Sequence, residues 1–139
     1  MNWEKLKKNY RFSYLITSKS ASDLDVIFQK IIEKQIQFIY LIGDYGSGKT
    51  DFAKKFARKI GIKEKIISPS FNFMFVYENL VHIDLDNFPG QIDEFYDYFD
   101  NNFVIIEWAD KLTKFSKNSV LITFKILDLE TRSVKIYWN

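Results

Sequence analysis

The residues with the clearest chemical potential stand together at positions 43–50, which read GDYGSGKT. They match the phosphate-loop pattern G-x-x-x-x-G-K-[ST] in full. Gly46 and Gly48 can adopt positive φ and leave no Cβ in the way of a phosphate, so successive backbone N–H groups can point into the loop. Lys49 supplies a cation to the β- and γ-phosphates, and the Thr50 hydroxyl is placed to coordinate Mg²⁺. The spacing therefore predicts a nucleotide site.

A phosphate loop needs an acidic side chain at the end of another strand to hold the metal ion. The apolar run at 103–106 ends at Glu107, and the segment 81–84 ends at Asp84. In open α/β sheets, ligands bind beyond the carboxyl ends of the parallel strands. Glu107 is therefore predicted to lie at the site if its strand neighbours residues 38–42, with Asp84 as a second acid. His82, the only histidine, is interpreted as a packing residue.

The elements that position these groups follow from the hydrophobic spacing. Residues 38–42 are continuously apolar, which is typical of a strand buried on both faces. They run into the glycine loop, and a helix is predicted over 49–60 with Gly61 as its stop. Apolar residues alternate at 12, 14 and 16, which predicts a half-buried strand at 11–17. Further predictions are a helix at 23–34 capped by Ser20 or Ser22, a hairpin of 71–77 with 80–85, a short acidic helix at 91–99, and a last hairpin of 120–126 with 133–138. The pattern predicts one α/β domain over residues 1–139, a three-layer P-loop NTPase-like fold with a mixed, mainly parallel sheet and helices on both faces.

Composition excludes several classes of protein. The chain has 139 residues, of which 47% are apolar, so it can form a core and disorder is not the default expectation. Twenty basic residues against 18 acidic ones give a net charge of +2, which does not by itself indicate a nucleic-acid partner. There is no cysteine, which excludes a disulfide framework, a thiolate zinc site and a cysteine nucleophile and suits a cytoplasmic location. No apolar run approaches 18 residues and no secretory signal is recognisable, so no membrane association is expected.

Four motifs, in the same order and at similar spacing, resemble the TsaE family, also called YjeE. GDYGSGKT at 43–50 resembles the GDLGAGKT loop of that family, and SPSF at 68–71 is similar to its SPTF loop. HIDL at 82–85 resembles its HFDLYR segment, and IEW at 106–108 resembles its IEW segment. The resemblance covers about residues 36–108, and the length of the family fits the whole chain.

The resemblance implies a small ATPase that uses ATP and Mg²⁺. The family is required in bacteria for N6-threonylcarbamoyladenosine at position 37 of tRNAs that read ANN codons. It acts on a TsaB–TsaD heterodimer, and tRNA is expected to be reached only through that complex. By position, the resemblance assigns Lys49, Asp84 and Glu107 to catalysis and Thr50 and Glu107 to Mg²⁺. It also makes the 68–71 loop switch-like, and it gives the nucleotide contacts to Lys19, Gly46, Ser47, Gly48, Lys49, Thr50, Asp51 and Arg132.

The chain departs from the family pattern in three places. Asp51 stands where the family usually has a second hydroxyl residue, and an acid there weakens phosphate binding unless it faces away. Asn87 stands where the family has the arginine of HFDLYR. Ser70 replaces the threonine of the SPTF loop, which keeps the hydroxyl.

Two other functions compete with a partner-directed ATPase. One is a nucleotide-dependent binding module without significant hydrolysis, which the presence of both Glu107 and Asp84 disfavours. The other is a small-molecule kinase, which commonly holds phosphates with several arginines. The chain has only three, at 11, 58 and 132, and no lid insertion after residue 103. ATP is preferred to GTP because no N-K-x-D motif follows Glu107.

Overall fold

The computed structural model describes residues 3–139, apart from the side chains of Trp3 and Ala21. A seven-stranded sheet has the order β1-β7-β6-β2-β5-β4-β3. Its strands are β1 Phe12–Ser18, β2 Phe38–Ile42, β3 Met74–Tyr77, β4 Leu80–Asp84, β5 Phe103–Glu107, β6 Ser119–Ile126 and β7 Arg132–Trp138. The α-helices are α1 Trp3–Lys7, α2 Asp25–Glu33 and α3 Lys49–Lys59. Short 3₁₀ helices cover Ala21–Leu24, Ile92–Tyr98 and Ala109–Lys111.

The centre of the sheet is parallel and its two edges are antiparallel. Strands β6, β2, β5 and β4 run parallel to their neighbours. Strands β7 and β1 on one side, and β3 on the other, are added in the antiparallel sense. The continuous apolar runs of β2 and β5 suit positions buried on both faces. This arrangement brings the carboxyl ends of β2, β4 and β5 to one edge of the sheet and confirms the predicted α/β class.

Both faces of the sheet are covered, but unequally. Helices α2 and α3 pack on one face, where Phe28, Phe52 and Phe56 are at most 1% exposed. The centre of the Phe28 ring lies 4.9 Å from that of Phe52 and 6.1 Å from that of Phe56. The other face is covered by Leu6 of α1 and by the 3₁₀ helices Ile92–Tyr98 and Ala109–Lys111. The predicted three layers are thus confirmed, with one layer made mostly of short turns. Truncating Phe52 to alanine in this packing would cost about 3–5 kcal/mol of stability.

One predicted element is wrong in extent, and another is present as a less common type of helix. The strand expected over 71–77 begins only at Met74, because the backbone at Phe73 has φ 64° and its N–H donates to the carbonyl of Pro69 at 2.6 Å. The short acidic helix predicted at 91–99 is present as a 3₁₀ helix over Ile92–Tyr98. It buries Ile92 alone, so it lacks the apolar stripe that packing of an α-helix requires.

The first two elements of the structure also differ from the sequence prediction. Helix α1 was not predicted, since its five residues offer one deeply buried anchor, Leu6. The alternating pattern at 11–17 predicted a half-buried strand, yet Phe12 and Tyr14 are 51% and 53% exposed. The reason is that β1 is an edge strand and pairs only with β7. No helix among residues 3–139 has the length and apolar character needed to cross a membrane.

Candidate functional site

The glycine loop leaves β2 and opens α3, as its spacing predicts. Gly46 and Gly48 have φ of 73° and 114°, and Gly48 is the N-cap residue of α3. A Cβ at Gly46 would meet nothing within 4 Å, so its surface faces open space. A Cβ at Gly43 would lie 2.5 Å from Ser47 Oγ and 3.0 Å from the backbone oxygen of Phe124. Glycine is therefore required at 46 and 48 for conformation and at 43 for close packing.

Lys49 is held inside this loop. Its side chain is almost buried, with 5% exposure, and Nζ donates to the carbonyls of Gly43 at 2.5 Å and Asp44 at 2.9 Å. The same ammonium lies 4.5 Å from the centre of the Trp108 ring. Burial lowers the pKa of Lys49, and the negative charges of Glu107 and Asp84 oppose that shift. A cation is thus fixed beside the loop amides.

Glu107 lies at the carboxyl end of β5, directly beside β2. The sequence predicted Glu107 at the site on the condition that its strand neighbours residues 38–42. The pairing of Leu41 with Glu107 meets that condition. Glu107 is 3% exposed, and the Thr50 hydroxyl lies 3.1 Å from each of its carboxylate oxygens. The first turn of α3 and the end of β5 therefore place two oxygen-bearing side chains together, which is the donor type that hard cations prefer.

Asp84 is the neighbour of Glu107 across the strand pair β4–β5. It is 4% exposed and accepts hydrogen bonds from the backbone N–H of Asp86 at 2.8 Å and from Ser70 Oγ at 3.4 Å. Burial raises the pKa of Asp84, and the charge of Glu107 raises it further, while the N–H of Asp86 acts in the opposite direction. Ser70 ties the 68–71 loop to this acid, since its hydroxyl also bonds that of Ser68 at 2.7 Å.

These groups line one cavity of about 370 Å³. Its lining residues are Tyr45, Gly46, Gly48, Lys49, Thr50, Asp51, Ser68, Ser70, Asp84, Glu107 and Trp108. Within residues 3–139 no three histidine, cysteine or acidic side chains cluster closely enough to cage a metal ion alone. Mg²⁺ is usually held by one or two protein carboxylates together with substrate phosphates, and the cavity offers that kind of donor set.

Of three further residues named from the resemblance, Asp51 lines this cavity, whereas Arg132 and Lys19 lie outside its lining. Arg132 at the start of β7 points Nη2 at the Gly46 carbonyl, 3.3 Å away. Lys19 lies near the β6–β7 turn, where the pKa of Asp128 is lowered mainly by the Glu130 N–H and in lesser part by Lys19. Asp51 lines the cavity, but its carboxylate is 60% exposed and pairs with Lys55 at 2.5 Å, so a partner offsets its charge.

The sequence interpretation missed the contact that His82 makes. His82 Nε2 lies 2.6 Å from Glu107 Oε2, and the histidine is fully buried. The available signal was strand parity: His82 and Asp84 are two residues apart and therefore share a sheet face, as do Ile105 and Glu107 in the neighbouring strand.

Tyr45 holds the phosphate loop against two neighbouring segments. Its hydroxyl donates to Asp86, and the centre of its ring is 5.0 Å from that of the Trp108 ring.

Comparison with known proteins relates this chain to named ones. The family model described as threonylcarbamoyl adenosine biosynthesis protein TsaE matches residues 18–134. A relative from Aquifex aeolicus (strain VF5), named tRNA threonylcarbamoyladenosine biosynthesis protein TsaE, is 29% identical over 110 residues, which cover 75% of this chain and 79% of the relative. A relative of the same name from Treponema pallidum (strain Nichols) is 26% identical over 132 residues, covering 86% of this chain and 96% of the relative.

The fold is also shared with a solved structure. The chain is similar to the crystal structure of Bacillus subtilis YdiB, with a TM-score of 0.67 and 22% identity, covering 91% of this chain and 86% of that one. At that identity the likeness concerns the fold alone. The family match spans far more than half of the chain, and both curated relatives carry the same name. The chain therefore belongs to the TsaE family of threonylcarbamoyl adenosine biosynthesis proteins.

Proposed function

We propose that this chain binds ATP with Mg²⁺ and hydrolyses the ATP slowly in support of a TsaB–TsaD-like complex that makes N6-threonylcarbamoyladenosine on tRNA. One observation carries the proposal: Lys49, Thr50, Asp84 and Glu107 converge on the same cavity at the carboxyl edge of the parallel strands. Family membership supports the biosynthetic role. Catalysis by such a site consists of positioning and charge stabilisation rather than covalent chemistry.

The roles follow from the contacts. Lys49 would leave the carbonyls of Gly43 and Asp44 to bind the β- and γ-phosphates, while the N–H groups at 46–51 cradle them. Thr50 and Glu107 would hold Mg²⁺, which supplies charge neutralisation to the phosphates when bound. Asp84, at the end of the neighbouring strand, would orient the attacking water, and Ser70 bonds to it from the 68–71 loop. Because burial raises the pKa of Asp84, it is a suitable group to accept a proton.

The nucleoside contacts proposed for Lys19 and Arg132 rest on position. Arg132 already borders the loop through Gly46, and Lys19 lies by the same turn. Arg132 is therefore close enough to the loop to reach the sugar or base of a nucleotide whose phosphates occupy it, whereas the contact proposed for Lys19 rests on the resemblance. Asp51 would not repel those phosphates strongly, since Lys55 neutralises it.

The proposed partner surface is next to the nucleotide cavity. Phe71 is 94% exposed, although it directly follows Ser70, which bonds to Asp84. An exposed aromatic side chain of this size is typical of an interface anchor. We propose that the TsaB–TsaD-like pair closes on this loop, that tRNA is reached only through the pair, and that the complex acts in the cytoplasm.

Two measurements test this function together. The first is co-purification of the chain with a TsaB–TsaD-like pair, with and without ATP, and we expect ATP to strengthen the association. The second is single-turnover hydrolysis of ATP by the chain alone and with the pair. Association without any hydrolysis under either condition would make the chain a nucleotide-dependent binding module. Phosphate transfer to a small molecule instead of water would make it a kinase.

A further inference from the structure

His82 is a buried polar residue of the site region whose side chain has no role in the proposed function. It lies in the middle of β4, paired in register with Ile105 of β5, two residues before the pair formed by Asp84 and Glu107. Its side chain is fully buried, and it therefore cannot touch a nucleotide in the cavity from the surface. Any function of His82 must act through another residue.

The only polar contact of the His82 ring within residues 3–139 is with Glu107. Nε2 lies 2.6 Å from Oε2, while Nδ1 is buried without a hydrogen-bond partner. A ring nitrogen that carries a proton must donate it somewhere, so the proton is assigned to Nε2, and Nδ1 remains an unprotonated acceptor. The histidine is thus a donor to the carboxylate of Glu107.

A packing role does not account for this residue. Burying an imidazole with one unsatisfied nitrogen costs free energy that an apolar side chain of similar size would not cost. The residues beside His82 on its own face of the sheet are apolar: Leu80, two positions earlier in β4, and Ile105, its partner in β5, are fully buried. An apolar residue at 82 would therefore suit the core better. Such local conflicts with packing are expected where a side chain serves the site.

We infer that His82 is a positioning residue that fixes the carboxylate of Glu107 for the proposed metal ion. His82 binds Oε2 from the interior of the sheet, and Thr50 contacts both oxygens from α3. The carboxylate is therefore held from two sides, and Oε1 carries one fewer contact than Oε2. Carboxylates that bind metals are commonly held by such outer hydrogen bonds, whose loss costs about 10–100-fold in metal affinity. The inference rests on the proposed Mg²⁺ and ATP binding.

The test compares four variants in calorimetric titrations of ADP, with Mg²⁺ and with chelator. His82→Phe keeps a ring and removes the donor. His82→Gln keeps an N–H donor at similar reach, and His82→Asn places its amide one methylene short of Glu107. Ile83→Val, on the opposite face of β4, is a control for a mild core change.

We expect nucleotide affinity in chelator to be unchanged in all four variants. The enhancement of affinity by Mg²⁺ should fall about tenfold or more in His82→Phe and His82→Asn, recover in His82→Gln, and stay at the wild-type level in Ile83→Val. Wild-type enhancement in His82→Phe or His82→Asn would overturn the inference and leave the proposed function standing. If His82→Phe does not fold, the contrast between the Gln and Asn variants decides, and equal behaviour of those two would overturn it. A wild-type chain with no Mg²⁺ enhancement would overturn the proposed metal binding and this inference together.

Discussion

Thr50 and Glu107 meet although 57 positions separate them in the chain, with the threonine hydroxyl 3.1 Å from both carboxylate oxygens. The contact exists because β2 and β5 are parallel neighbours, so the loop after β2 and the acid that ends β5 emerge at the same edge. It joins the phosphate loop to the proposed metal acid in one unit. Four of the predictions below change groups of this unit or its immediate neighbours.

Lys49→Ala should weaken nucleotide binding and leave the fold intact. Hydrogen bonds to charged groups contribute about 1.5–3 kcal/mol, so the expected loss of affinity is roughly 10–100-fold. Calorimetric titration with ADP and ATP measures it. Lys54→Ala is the matched control, because Lys54 is an exposed lysine on the same helix. An affinity in Lys49→Ala equal to that of the control would remove the basis for the phosphate-loop assignment.

Glu107→Gln should abolish most of the hydrolysis while nucleotide binding persists with a weaker dependence on Mg²⁺. The substitution keeps the size and removes the charge of the proposed metal acid. Single-turnover hydrolysis and binding are measured on the same preparations. Asp84→Asn is measured beside it, and it should lose hydrolysis with the Mg²⁺ dependence retained. If Asp84→Asn loses the Mg²⁺ dependence and Glu107→Gln keeps it, the two acids exchange roles.

Asp84→Asn should also stabilise the fold at neutral pH. The pKa of Asp84 is raised by burial and by the charge of Glu107, so the native state holds this proton more tightly than the unfolded state. Stability then falls as the pH rises from the ordinary aspartate pKa through the raised native one. The thermal midpoint of Asp84→Asn should exceed that of the wild type above this window, and the difference should shrink at more acidic pH. A gap that widens on acidification would show that the charge of Asp84 stabilises the fold.

Gly43→Ala should destabilise the fold, whereas Gly46→Ala should chiefly affect nucleotide binding. The Cβ added at Gly43 would lie 2.5 Å from Ser47 Oγ and 3.0 Å from Phe124, which forces the loop away from β6. The Cβ added at Gly46 meets nothing, but φ is 73°, which costs about 1 kcal/mol for a non-glycine residue. Thermal unfolding and ADP titration of both variants separate the effects. A larger loss of stability in Gly46→Ala than in Gly43→Ala would contradict the packing argument.

The parts of the site that follow from local sequence were predictable. The loop at 43–50, the helix that follows it and the acid that ends the strand at 103–107 are each encoded in a few consecutive residues. The resemblance to one family was likewise carried by short motifs, and the family match confirms it.

The parts that depend on strand register were not predictable. The contact of His82 with Glu107 requires β4 and β5 to be parallel neighbours in one specific alignment. Arg132 lies near Gly46 because β7, which begins at Arg132, pairs with β6, and β6 pairs in turn with β2. Spacing along the chain shows which residues of one strand share a sheet face, but it does not give the alignment between strands. The exposure of Phe12 and Tyr14 was missed for a related reason, since alternation in sequence does not reveal that a strand lies at the edge of a sheet.

The last prediction concerns the rate of hydrolysis by the chain alone. Transition-state charge in phosphoryl transfer is commonly neutralised by an arginine, worth about 10³–10⁵ in rate. Arg58 lies in the last turn of α3 and bonds the carbonyls of Ile62 and Glu64, and Arg11 lies over the Phe12 ring at the sheet edge. Arg132 borders the loop at Gly46 but bonds the turn carbonyls of residues 128 and 131. None of the three arginines contacts Asp84 or Glu107.

We therefore expect slow steady-state hydrolysis by the isolated chain and a faster rate with the TsaB–TsaD-like pair, which would supply a charge or order the 68–71 loop. Phe71→Ser should reduce the stimulation and leave the basal rate and nucleotide affinity unchanged, because Phe71 is exposed and lies outside the cavity lining. Leu15→Ser is the matched control, since Leu15 is also an exposed apolar residue but lies on the edge strand β1, at the other end of the sheet. A fast rate by the chain alone that the pair leaves unchanged would identify a self-sufficient enzyme. Full stimulation of Phe71→Ser would place the partner surface elsewhere.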